Sequence, residues 1–88
     1  MHEVYGVAAF RSRQQVLRFE SQLRRMGVPV SVVSTPRDIS MGCGLSVRFP
    51  LEYAQTVRGA ARSGDSSNLI GLYRAEYDGA RLRVSGLR

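Results

Sequence analysis

The hydrophobic pattern of the chain changes period several times, and each change marks an element. Val4 to Phe10 is a short apolar run between polar residues. It predicts a strand buried on one face and partly on the other, hence central in its sheet. Gly6 within it either weakens the strand slightly or marks close packing by a helix. Val16, Phe19, Leu23 and Met26 then recur at spacings of three, four and three, which is one face of a helix. Ser12 suits the N-cap, with Gln15 completing a capping box, and Gly27 is the expected stop. Arg24 and Arg25 in the last turn complement the helix dipole.

Val28-Pro29-Val30-Ser31-Val32-Val33 is β-branched, and Pro29 assigns it to an edge strand. Leu45-Ser46-Val47-Arg48-Phe49 alternates, with Leu45, Val47 and Phe49 facing the core and Ser46 and Arg48 facing out. Pro50 opens a second helix, with Tyr53, Ala54, Val57, Ala60 and Ala61 as its buried stripe. Gly59 costs that helix about 1 kcal/mol relative to Ala, so close packing is expected around it. Gly64 closes the helix. Leu69 to Tyr73 reads as a fourth strand that continues to Tyr77, because Asp78-Gly79 is a two-residue hairpin signal. Arg81 to Val84 is a short fifth strand with arginines guarding its edge, and Ser85 to Arg88 is expected to fray.

The order βαββαβ plus a hairpin predicts an α+β, ferredoxin-like sandwich: two helices on an antiparallel sheet in the order 4-1-3-2. The expectation is one domain over residues 1–88, with a core at 3–74 and a hairpin extension and tail at 75–88. A chain this short buries a modest core, so a homodimer would add useful burial. Tyr5, Val7 and Ala9 form a mildly apolar sheet face on which a second copy would pair.

Charge adds a partner class. The net charge is +6, and all 13 basic residues are arginine. Arginine forks onto phosphates and carboxylates, so phosphates, nucleic acid and acidic proteins are the natural partners. The same bias also arises from a GC-rich genome. One cysteine excludes an internal disulfide and a cysteine-cluster metal site within one chain. Met1-His2-Glu3 lacks the positive start of a secretory signal, and no apolar run is long enough to span a bilayer. A cytoplasmic protein without membrane contact is expected.

Candidate chemistry converges on Thr35-Pro36-Arg37-Asp38-Ile39-Ser40-Met41-Gly42-Cys43-Gly44. Gly42 and Gly44 remove side-chain bulk on both sides of the thiol. The topology sets the start of strand three beside Phe10 and the start of the first helix. Cys43 is therefore expected near Arg11, Arg37 and the first helical amides, which favour thiolate over thiol. The same helix start suits a small anion. The plainer alternative is that Cys43 packs as a small buried hydrophobe. The single His2 lies in the terminus, the carboxylates are scattered, and no glycine-rich phosphate loop is present. Neither an enzyme nor a bound cofactor or metal is expected.

These residues also carry a resemblance. Val7 to Ser12, Gly27 to Val30, Thr35 to Ser40 and Cys43 to Phe49 resemble a family of small bacterial selenium/sulfur carrier-like proteins, over roughly residues 4–73. The resemblance implies that Cys43 holds sulfur or selenium as a persulfide or selenosulfide, between donor and acceptor proteins. It makes Arg11, Ser12, Arg37, Ser40, Gly44 and Arg48 the supporting positions. Residues 75–88 depart from the family pattern. The alternative is a basic RNA-binding or anion-sensing module in which Cys43 is structural. RNA-binding sheets of this class stack bases on aromatics of their central strands. Here strand one offers only Tyr5 and strand three offers Ser46 and Arg48, which argues against nucleic acid on the sheet.

Overall fold

The computed structural model describes residues 2–37, 39, 44–63 and 69–87. The chain begins with strand β1 (Glu3–Phe10), followed by helix α1 (Arg13–Arg25), β2 (Ser31–Ser34) and β3 (Leu45–Phe49). A short 3-10 turn (Leu51–Tyr53) leads into α2 (Ala54–Ser63), and β4 (Leu69–Tyr77) and β5 (Leu82–Gly86) complete the fold. The protein is thus α+β, with two helices and a five-stranded antiparallel sheet in the order β2-β3-β1-β4-β5. The expected order of four strands is extended, because β5 pairs along β4 and joins the sheet. β2 is an edge strand and begins only after Pro29, which cannot donate to a ladder.

Helix α1 follows its sequence signals closely. Ser12 is extended at the N-cap, and its Oγ accepts the Gln15 N–H at 3.4 Å. At the other end Gly27 adopts φ 86°. Its N–H donates to Arg24 O at 3.0 Å, and Val28 N–H donates to Leu23 O at 3.0 Å. This is a Schellman closure, and its Val28 and Leu23 side chains are both buried in the core. Met26 differs from expectation. It is the C-cap residue, beyond the last full turn, and remains 49% exposed although its spacing continues the apolar stripe.

Both helices bury their stripes on one sheet face. Val16, Phe19 and Leu23 of α1 and Val57, Ala60 and Ala61 of α2 join Ala8, Phe10, Val47 and Phe49 in one cluster. The Phe10 and Phe19 rings meet at 5.1 Å with a 55° tilt, a favoured aromatic geometry. Gly6 is needed here because of a neighbouring ring. A Cβ at that position would lie 2.2 Å from the Phe49 ring, which covers β1 from the neighbouring strand. Gly59 has the opposite character: nothing lies within 4 Å of where its Cβ would be, so packing does not explain it.

The C-terminal part also differs in detail. The turn after β4 spans Asp78–Arg81 rather than two residues, because the Asp78 carboxylate accepts the N–H groups of Ala80 and Arg81 at 3.0 and 2.9 Å. Gly79 takes φ 98° within it. The tail does not fray at Ser85. β5 runs to Gly86, and Leu87 donates its N–H to Leu72 O at 2.9 Å while its side chain packs against the core.

Candidate functional site at the neck of the Thr35–Gly44 loop

The segment from Thr35 to Gly44 joins β2 to β3, and its two ends are fastened together. Thr35 N–H donates to Gly44 O at 2.9 Å. The Thr35 and Ser46 hydroxyls share a hydrogen bond of 2.6 Å. Among the described residues these are the buried polar side chains, with Thr35 8% and Ser46 0% exposed. Ser46 does point away from the helical layer, as alternation predicts, yet it does not face water. It lies between Ala9 of β1 and Val33 of β2 in the sheet register. A hydroxyl there needs a partner, since a lone buried one costs its full desolvation. Thr35 supplies it.

Gly44 completes the neck. A Cβ there would sit 3.0 Å from Thr35 Oγ1 and 4.0 Å from the Phe10 carbonyl oxygen. The start of β3 therefore lies beside the end of β1, and Ser12 opens α1 two residues later. On the β2 side, Ile39 N–H donates to Pro36 O at 3.0 Å, forming a turn that contains the exposed Arg37.

The sequence-derived positions separate into three groups. Gly44 is in the neck, and Arg11 and Ser12 follow Phe10 beside it, with Arg11 exposed. Ser40, Gly42 and Cys43 lie outside the described residues. Arg48 belongs elsewhere: four residues beyond Gly44 along a strand is about 13 Å. Its guanidinium stacks 3.8 Å over the Tyr5 ring and pairs with the Glu3 carboxylate at 3.1 Å, tying β3 to β1 near the far end of the sheet. Thr35 and Ser46 were not among the predicted positions. Their burial depends on a pairing across the loop that spacing alone does not reveal.

Charge is arranged at the opposite, hairpin end. The Glu76 carboxyl is held below its ordinary range first by the hydrogen bond from His2 at 2.7 Å and then by Arg74 at 3.0 Å. The Asp78 carboxyl is lowered by the amides of Ala80 and Arg81 that it accepts. Among the described residues, no cluster of three His, Cys, Asp or Glu side chains is arranged to hold a metal. No described helix is long and apolar enough to cross a membrane.

Comparison with known proteins adds one finding. Residues 5–66 match the family described as Putative Se/S carrier protein-like. No curated protein and no solved structure matches the chain. The matched region takes in β1 from Tyr5 onward, both helices, β2, β3 and the whole Thr35–Gly44 loop, and ends before β4. The chain therefore belongs to the Se/S carrier protein-like family.

Proposed function

We propose that this protein carries sulfur or selenium on Cys43, as a persulfide or selenosulfide, and has no catalytic activity of its own. The observation that supports this most is the family match, which includes the loop bearing the chain's single cysteine. The neck geometry adds to it. Cys43 directly precedes Gly44 in the sequence. Gly44 in turn lies beside Phe10, just before Arg11 and the start of α1. We infer that the thiol belongs to that corner, where Arg11 and the helical amides would favour the thiolate. The ferredoxin-like arrangement and a cytoplasmic setting belong to the same proposal, as do donor and acceptor proteins and a homodimer.

Loading would balance without an external oxidant. The Cys43 thiolate attacks the outer sulfur of a donor persulfide. The donor S–S bond breaks, the donor leaves as a thiolate, and the new S–S bond forms on Cys43. Incubation with a cysteine desulfurase and free cysteine should add one sulfur to the intact protein, removable by a reductant and absent in Cys43→Ser. A selenium-charged donor should add one selenium at the same residue. Failure of both donors to modify Cys43 would overturn the carrier assignment.

A further inference from the structure

Helix α2 combines two features that weaken a helix and that packing does not require. Its sequence is rich in alanine, yet Gly59 interrupts it on the exposed side with nothing within 4 Å of its missing side chain. Arg58 and Arg62 are like charges four residues apart, which repel on a helix surface. Among the described residues no carboxylate lies within ion-pair distance of either. In α1, by contrast, Arg24 is engaged by Glu20 at 3.1 Å and by the Val30 carbonyl at 3.0 Å. Local rules broken without a structural return point to function.

The missing side chain leaves an open notch lined by Gln55, Arg58, Gly59 and Arg62. The outward face of α2 also carries Thr56 and Ser63, and it has no exposed apolar or aromatic residue. Protein interfaces centre on buried aromatic, aliphatic and arginine anchors, and of these this face has only arginine. Arginine, glutamine and hydroxyl side chains are what bind phosphate and sugar. A glycine between two arginines lets a phosphate approach the helix closely.

The sheet is a poorer site for nucleic acid. Tyr5 is already covered by the Arg48 guanidinium, and the Tyr73 ring lies over Gly71 within 3.1 Å of where a Cβ would be. Each ring thus has one side occupied within the chain, which leaves less surface for stacking bases.

We propose that the outward face of α2, centred on the Arg58–Gly59–Arg62 notch, docks the phosphodiester backbone of nucleic acid. The site reads charge and backbone, not bases, and it works independently of Cys43.

Fluorescence anisotropy with a labelled single-stranded RNA tests this. The full chain should bind, with affinity falling linearly in log salt. Arg58→Gln/Arg62→Gln should lose at least about tenfold in affinity and lower the salt slope by roughly 1.4, the share of two phosphate contacts on a single strand. Gly59→Leu should raise the melting temperature, because leucine is the better helix former, and yet weaken RNA binding several-fold by filling the notch. Cys43→Ser should bind RNA as the parent does, so failure of chalcogen loading leaves this inference standing. Unchanged binding in the double variant, or in Gly59→Leu, would overturn it. Equal affinity for polyglutamate of matched charge would also overturn it, in favour of an acidic protein partner.

Discussion

The two ends of the sheet are fastened by different physics. At the neck end, one neutral pair, Thr35 and Ser46, is buried and closes the loop that leads to Cys43. At the hairpin end, Arg48–Glu3 and Arg74–Glu76 form exposed or half-exposed ion pairs, and His2 hydrogen-bonds Glu76. Buried hydroxyls contribute little net energy when paired but are costly to leave single. Exposed ion pairs contribute typically below about 1 kcal/mol and weaken with salt. The neck should therefore be insensitive to solution conditions and intolerant of mutation, and the hairpin end the reverse.

The largest expected effect follows from leaving one hydroxyl alone. Thr35→Val should destabilise by about 1–3 kcal/mol, because Ser46 then has no partner in a dry setting. For a chain of this size each 1 kcal/mol lowers the melting temperature by roughly 4–8 °C. Thr35→Val/Ser46→Ala should recover part of that loss, giving a coupling measurable in a double-mutant cycle. A double variant as unstable as the summed singles would break the comparison. Gly44→Ala comes next, at about 1 kcal/mol. Its Cβ meets Thr35 Oγ1 at 3.0 Å, so the hydroxyl must shift from a 2.6 Å bond to make room. Denaturant melts at low and high salt should give the same penalty for both substitutions.

What the sequence made legible divides along similar lines. Local signals translated directly at α1, where Ser12 caps the helix and Gly27 closes it; β2 is the expected edge strand but starts at Ser31, after Pro29, rather than at Val28. Alternation gave the correct face for Ser46 but not its burial, because Thr35 reaches it across a loop of the chain. Spacing placed Met26 on the apolar stripe, yet the helix ends before its side chain has anything to pack against. Gly6 and Gly59 look alike in sequence. Only the position of the Phe49 ring separates a required glycine from one that packing does not explain. Of the candidate site, the topology correctly brought the start of β3, at Gly44, beside the end of β1, at Phe10. The setting of the thiol depends on residues 40–43, which lie outside the described ones.

Arg48 sharpens the comparison because it combines both kinds of contact. Its stacking over Tyr5 is worth about 0.5–1 kcal/mol at a partly exposed site. Its pairing with Glu3, where both side chains are more than a third exposed, adds a few tenths at most after screening. Arg48→Leu should thus cost about 1 kcal/mol or less. Glu3→Gln should cost less again, and only at low salt. A Glu3→Gln penalty that persists in high salt would show that the hairpin end is more buried in solution than its exposure implies.

The smallest effect, and the one that differs most in kind between the two ends, is the response to acid. Glu76 and Asp78 have carboxyls lowered from their ordinary values of 4.5 and 3.8. A group with a lowered folded-state value stabilises the fold above its unfolded value. That contribution is lost as pH falls through the folded one. Stability should therefore be flat from neutral pH to about pH 5 and decline below about pH 4, as these carboxylates take up protons. Glu76→Gln removes one of the two groups and should flatten the decline. Asp78 is exposed and Glu76 partly so, and the change should therefore be a small shift in the denaturant midpoint rather than unfolding. Thr35→Val titrates nothing and should lower stability by the same amount at pH 7 and pH 4. If its penalty instead tracked pH as the Glu76 effect does, the neck would be coupled to the charges at the far end of the sheet, and the two ends would not be independent.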